Sequence, residues 1–109
     1  MVTVTFRRDS LNRLSSVISK GHADRALHGD DVACAAVSAI LQAALLGLTE
    51  VAKIAVASKV APGHMTMAWA EAERDRADVN AIVATAELSI ESIAHDYAAN
   101  VRFERAAEP

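Results

Sequence analysis

The fold is decided at residues 21–41, GHADRALHGDDVACAAVSAIL, where one structural pattern gives way to another. The part between Gly21 and Gly29 is charged, has glycine at both ends and follows no regular period, which predicts a loop. From Asp30 or Asp31 onward, apolar residues recur at helical spacing and predict a helix with a broad apolar face. Cys34, the only cysteine of the chain, falls at the start of that helix.

The rest of the chain divides into elements by the same test of apolar period. The predicted elements are strands at 2–6 and 13–20, the helix from Asp30 or Asp31, strands at 51–59 and 64–71, a helix over 79–97 and a short strand at 101–105. Gly47 is expected at or close to the C-terminal cap of the first helix. Asp75 or Asp78 is expected to cap the second helix.

These elements follow the order ββαββα, with a possible last strand, and predict one α+β domain over residues 1–109. Hairpins favour a mainly antiparallel sheet, and two amphipathic helices would cover one face of it. A two-layer α/β sandwich satisfies both requirements. The second sheet face would then be uncovered, which favours a homodimer.

Composition and charge exclude several classes of function. The net charge is −3 over 109 residues and no block of five or more basic residues is present, so we expect no direct nucleic-acid binding. A single cysteine cannot form an internal disulfide, which favours a reducing compartment. The first ten residues, MVTVTFRRDS, do not follow the pattern of a signal peptide, and the apolar run AALLGL is too short to span a membrane. The sequence therefore predicts a soluble, cytoplasmic protein.

The position of Cys34 permits two interpretations. If Asp31 is the N-cap, Cys34 is the third helical residue, where unpaired backbone N–H groups and the helix dipole favour an anion. A thiolate there, beside an imidazole that takes its proton, would be a nucleophile. A lone cysteine in an alanine-rich helix is, however, most often a small buried apolar residue. The residues alone leave both interpretations open.

The combination of GHA at 21–23 with GDDVACAAVSAIL at 29–41 resembles the signature of the ribosomal-processing cysteine proteases, the Prp family. The chain length, the opening hairpin and the segment SIESIAHDYAANVRF at 89–103 are also similar to that family, whereas 50–78 is only loosely similar. One departure is Ala33, where the family usually has valine beside the nucleophile. A smaller pocket wall and altered side-chain selectivity are expected there.

The resemblance implies a peptidase that acts through an acyl-enzyme and needs neither cofactor nor metal. It assigns Cys34 as the nucleophile and His22 as the general base. The implied supporting residues are Gly21, Gly29, Asp31 and Ser38. Asp31 would orient the loop or the base, and Ser38 would pack or bond behind the helix. The implied substrate is the N-terminal extension of ribosomal protein twenty-seven of the large subunit, and the implied assembly is a homodimer.

Three alternatives remain beside this hypothesis. A zinc site could use His22, His28 and Cys34, but no pair of these ligands has the close spacing of structural zinc sites. A non-catalytic, ribosome-associated or dimeric interaction protein would also fit a small domain with a bare sheet face. A Cys/His peptidase with another substrate is the third. His64 and His95 show no pattern typical of a site.

Overall fold

The structure of the chain, a computed structural model, describes residues 1–21 and 28–109, and of 28–31 only the backbone. The loop predicted between Gly21 and Gly29 therefore lies mostly outside the described residues. His22 lies there as well.

Five strands and two long helices form the described part of the chain. Their bounds are β1 Val2–Arg8, β2 Leu14–Lys20, α1 His28–Leu46 with a π-helical turn Gly47–Val51, β3 Val56–Ala61, β4 His64–Trp69, a 3₁₀ turn Glu71–Glu73, α2 Ala77–Asp96 and β5 Val101–Ala107. The sheet order is β3-β4-β2-β1-β5. Three of the neighbouring pairs are antiparallel, and β1 with β5 is parallel. The predicted α+β sandwich and mainly antiparallel sheet are confirmed, with the sheet mixed rather than purely antiparallel.

Alternation along β1 shows how the layers form. Val2, Val4 and Phe6 are buried toward the helices, whereas Thr3 and Thr5 lie on the other face and stay partly exposed. The same alternation buries Met65, Met67 and Trp69 of β4 in the core. Both helices lie on one face, as predicted. The helix-free face is mostly polar and charged, with a few apolar residues among them. Its polar members are Thr3, Thr5, Arg7, Ser16, Lys20, Lys59, Thr66, Arg102 and Glu104, and its apolar members include Ile18, Ala57, Ala68 and Ala106.

The α-helical part of α1 ends at Leu46, so Gly47 lies close to its end as predicted, but its predicted role as a cap is wrong. Gly47 does not cap α1, because the helix continues through a π turn in which the Ala52 N–H donates to the Gly47 carbonyl oxygen at 2.9 Å. Glycine allows close packing of the helices here, since a Cβ atom on Gly47 would lie 3.0 Å from Cγ2 of Ile82 on α2 and that side chain would have to shift. The glycine at the end of the predicted helix is therefore explained by helix packing and not by capping.

The predicted strand at 51–59 is wrong in its first half. Ala52 and Ile54 are buried and alternate with exposed neighbours, which imitates a strand. The backbone there instead leaves the π turn through Lys53, whose φ of 56° lies in the left-handed region. The strand β3 begins only at Val56.

The predicted N-caps are also wrong. Helix α1 begins at His28, so Asp31 lies within its first turn, where an acidic residue is favourable without being the cap. Helix α2 has Arg76 as its N-cap, and neither Asp75 nor Asp78 caps it. Asp78 is instead an early helical residue that pairs with Arg76 at 2.7 Å.

The segment Val32–Val51 is long and apolar enough to cross a membrane by length and composition, which the sequence analysis did not anticipate. Its buried residues recur on one side of the helix and belong to the core: Ala33, Val37, Leu41, Ala44 and Leu48. The many alanine residues raise the mean hydropathy of the helix, but their side chains are small, so they do not surround the helix with large apolar side chains. One side of the segment thus packs in the core of the two-layer domain, while the rest of its surface is exposed or half-buried.

A buried carboxylate joins α2 to the parallel edge of the sheet. Glu87 accepts two hydrogen bonds from the Arg8 guanidinium, at 2.7 and 3.0 Å, and its side chain is 5% exposed. Arg105 of β5 lies 3.4 Å from the same carboxylate and also pairs with the exposed Glu91. Glu87 therefore binds the first and last strands to one helix.

We expect Glu87→Ala to lower the free energy of unfolding by about 2–4 kcal/mol, because Arg8 would lose its bidentate partner in a partly buried position. Glu91→Ala is the matched control one turn along α2, and its effect should be much smaller because that pair is solvent-exposed. Urea titrations of the two variants measure the difference. Equal losses would contradict the assigned role of Glu87.

The turn between β1 and β2 is held by Asp9. Its carboxylate accepts hydrogen bonds from the backbone N–H groups of Leu11 and Arg13 at 2.9 and 3.0 Å. It also accepts from Nε of Arg13 and from Nη1 of Arg74, at 3.0 and 3.1 Å. Desolvation opposes the charged form, but these hydrogen bonds outweigh it and lower the pKa of Asp9 from 3.8 to about 2.

Because the pKa of Asp9 is lower in the folded state than in the unfolded state, its contribution is present above the unfolded pKa and is lost on acidification. We expect wild type to be more stable than Asp9→Asn at neutral pH. The difference in unfolding free energy should shrink between about pH 4 and about pH 2. Thermal unfolding of both proteins across this range measures it, and a difference that does not change with pH would contradict the argument.

Candidate active site

A groove opens between the flank of α1 and the hairpin of β3 and β4. We call it the Cys34 groove. Its floor and walls come from both layers of the domain. It is lined by Val2, Ser19, Gly21, Cys34, Val37, Ser38, Leu41, Gln42, Val60, Ala61, Gly63, His64 and Met65.

The groove exists because α1 leaves the edge strand β3 uncovered. Val60 points to the helix side of the sheet, as does its partner Met65, yet Val60 is 60% exposed whereas Met65 is 7% exposed. The helix therefore covers β4 and stops short of β3. An open ledge beside a helix flank can receive an extended chain.

Cys34 lies on the groove wall and is neither sealed in the core nor fully exposed. Its side chain is half-buried and packs against the core, while its neighbour Ala33 is completely buried. Packing against the core therefore fixes the position of the Cys34 side chain, and its thiol faces a space that a ligand can enter. The interpretation of Cys34 as an inert core residue is disfavoured by this position.

The electrostatic argument made for Cys34 from the sequence is wrong. With α1 beginning at His28, Cys34 lies in the second turn and its own N–H is part of the helical ladder. The unpaired N–H groups of α1 belong to the first turn. The effect of a helix dipole on a charge falls off within that turn. Cys34 therefore lies beyond the turn in which the helix dipole acts on a charge.

Ser38 lies in the groove and not behind the helix as expected. It is one turn after Cys34, and its Oγ accepts a hydrogen bond from Nε2 of Gln42 at 2.8 Å. Gln42 follows after another turn and lines the same groove. The three side chains form a row along one flank of α1.

Gly21 ends β2 at the mouth of the groove. Its φ of 100° lies in the left-handed region, and its N–H donates to the Gly63 carbonyl oxygen at 2.9 Å. A Cβ atom on Gly21 would collide with the carbonyl oxygen of Met1. Glycine is therefore required here.

The other sequence-predicted site residues are only partly described. His22 lies outside the described residues, and Gly29 and Asp31 are described by backbone alone, in the first turn of α1. Among the residues whose side chains are described, no three potential metal ligands lie together. The zinc hypothesis depends on His22 and His28, so its test remains metal analysis of the purified protein.

Sequence reasoning missed one wall of the groove. His64 and Val60 line it from the β3–β4 hairpin, although His64 had shown no pattern of a site. Only the strand order, which sets β4 beside β2, brings them near α1. Gln42 was also missed, and it could have been found because it stands two turns after Cys34 on the same helix face.

Comparisons with known proteins decide the family. The model of the family described as cysteine protease Prp matches residues 1–102. A curated relative, the ribosomal processing cysteine protease Prp of Staphylococcus aureus, is 30% identical over 105 residues, which are 94% of this chain and 96% of the relative. This chain belongs to the Prp family. It is a cysteine protease.

Solved structures agree with the Prp fold. The S. aureus Prp structure with a substrate peptide has a TM-score of 0.86 at 23% identity, covering 96% of this chain and 99% of that one. The S. aureus structure with a covalently linked product peptide has a TM-score of 0.83 at the same identity and coverage. SMU.848 of Streptococcus mutans has a TM-score of 0.88 at 24% identity, covering 99% of this chain and 96% of that one. At these identities the likeness shows the fold.

We expect Gly21→Ala in this Prp protein to lower the free energy of unfolding by about 2–3 kcal/mol, because alanine is strained at this φ and collides with backbone. Gly47→Ala is the matched control, since its neighbour Ile82 is a side chain that can shift and alanine favours helix. Its effect should stay within about 1 kcal/mol. Chemical denaturation compares the two, and similar stabilities would contradict the requirement at Gly21.

Proposed function

We propose that this protein is a cysteine endopeptidase in which Cys34 is the nucleophile and His22 the general base. One observation carries the proposal. Gly21, which directly precedes His22 in the chain, lines the same groove as Cys34. Family membership supports the same assignment through the GHA and Cys-containing motifs.

The reaction proceeds through an acyl-enzyme. His22 removes the thiol proton, and Sγ of Cys34 attacks the carbonyl carbon of the scissile peptide bond. The protonated imidazole then donates that proton to the leaving amine as the C–N bond breaks. Water hydrolyses the thioester, and the thiol is restored. Asp31 and Gly29 are proposed to support the segment that carries His22.

The proposed substrate is the N-terminal extension of ribosomal protein twenty-seven of the large subunit. The curated relative is named as a ribosomal processing protease, and a solved relative binds a substrate peptide. The apolar lining of the groove, from Val37, Leu41 and Met65, suits apolar side chains of such an extension. Ala33, buried beside the nucleophile, is the residue most expected to alter side-chain selectivity.

We propose a cytoplasmic homodimer. The free cysteine and a ribosomal substrate favour the cytoplasm. The helix-free sheet face is mostly polar and charged, so it is a poorer dimer surface than the sequence had suggested. Exposed apolar residues on the helical layer, Leu46, Val51 and Leu88, support it instead, since each is at least 60% exposed. Sedimentation of the purified protein gives the oligomeric state.

The test is cleavage of a peptide that spans the extension and the mature start of the host's ribosomal protein. Cys34→Ala should abolish cleavage, and His22→Ala should lower kcat at least about a hundredfold, since a general base contributes that much. His95→Ala, exposed on α2, is the control and should retain wild-type activity. Retained cleavage by both site variants would overturn the proposal.

Alkylation separates a catalytic from a non-catalytic thiol. Wild type should react with iodoacetamide at neutral pH faster than a free cysteine, and His22→Ala should remove this advantage. A slow reaction in both proteins would favour an interaction protein. Cleavage of other peptides but not of the extension would keep the Cys/His mechanism and replace the substrate.

A further inference from the structure

Three side chains of α1 form a regular row on the groove wall. Cys34, Ser38 and Gln42 are spaced four residues apart, and all of them line the Cys34 groove. Successive members are separated by about 6 Å along the helix axis. We call this set the α1 polar row. Opposite the row the groove is largely apolar, with Val60 and Met65.

Ser38 and Gln42 are joined to each other rather than to the helix backbone. Elsewhere in the described helices, Thr49, Thr85 and Ser89 donate to the carbonyl four residues earlier, at 3.0, 2.6 and 2.7 Å. Within the described residues, Ser38 makes no such bond, and its Oγ accepts from Nε2 of Gln42 at 2.8 Å. This arrangement leaves the Ser38 hydroxyl proton and Oε1 of Gln42 available to a ligand in the groove.

The spacing of the row matches that of an extended peptide. Along a strand, main-chain groups that point to the same side recur every second residue, at about 6.6 Å. A peptide that enters the groove loses water from its N–H and C=O groups, and each of these needs a new partner. A serine hydroxyl and a primary amide can serve both kinds of group, because each contains a donor and an acceptor.

We propose that Ser38 and Gln42 bind the main chain of the substrate two and four residues from the scissile bond, on one side of it. This inference rests on the proposed function, in which Cys34 attacks the scissile carbonyl. Substrate side chains on the opposite side of the peptide then face the apolar part of the groove. Gln42 therefore contributes to affinity through the peptide backbone and accepts many sequences at that position.

The first measurement compares kcat and KM for the precursor peptide. Gln42→Leu removes both polar groups and leaves a branched apolar side chain that is one carbon shorter. KM should rise about three- to tenfold, as for one lost hydrogen bond, while kcat stays within about twofold. Ser92→Ala, exposed on α2, is the control for a polar deletion on a helix surface and should leave both constants unchanged.

The second measurement identifies the bonded group. Peptides with one main-chain amide replaced by an ester lose a single N–H donor, and a series places the ester at each residue up to four on both sides of the scissile bond. Wild type should lose affinity at the fourth residue on one side. Gln42→Leu should be insensitive to that same replacement, because the acceptor is already absent.

The outcomes separate this inference from the proposed function. Cleavage by Cys34→Ala would overturn the proposed function. If Cys34→Ala is inactive but Gln42→Leu has the wild-type KM, or if every ester affects both enzymes equally, only the backbone-binding role of Gln42 is overturned. Gln42 is exposed, so the Gln42→Leu protein should have the wild-type melting temperature. Gln42→Ala repeats the kinetic measurement with a smaller side chain, and the same rise in KM is expected.

Discussion

Burial of one row of α1 against the sheet is the contact on which the rest of the molecule depends. Val37, Leu41 and Leu48 are almost fully inaccessible, and they fix the rotation of the helix about its axis. Because a helix has a fixed angle between successive residues, this rotation also decides where the neighbouring row points. Cys34 follows the buried Ala33 and therefore faces the groove at the margin of the core. The core and the Cys34 groove therefore lie on two sides of one helix.

The second requirement is the uncovered edge of the sheet. Helix α1 covers β4 and leaves the helix side of β3 open, so the groove has one rigid wall and one open ledge. The ion pairs of Asp9, Arg13 and Arg74 hold the far end of the β1–β2 hairpin, away from the groove. Gly21 directly follows β2 at the opposite end of that hairpin, where it lines the groove. A substrate can thus enter without disturbing the polar contacts that stabilise the sheet.

The elements that were predicted correctly are those whose residue pattern has a single structural cause. Alternation in β1 and β4 follows burial on one face, and both strands were found with the right type and nearly the right ends. Errors arose where two causes produce the same pattern. Gly47 looked like a cap but instead allows helix packing with Ile82. Ala52 and Ile54 are buried between exposed neighbours, which is the pattern of a strand, although the backbone there belongs to the end of a π turn and the segment that follows it. Of the residues that line the Cys34 groove, Cys34 and Ser38 had been named from the motif. His64 was not, because its place depends on strand order, which a single sequence does not reveal.

The most direct test of the account is to trap the substrate on the enzyme. A chloromethyl ketone made from the residues that precede the cleavage site should add one equivalent to the protein, and peptide mapping by mass spectrometry should find it on Sγ of Cys34. Unmodified precursor peptide should slow the reaction by competition. An unreactive Cys34, or addition that precursor does not slow, would contradict a thiol placed by helix packing to attack a bound peptide.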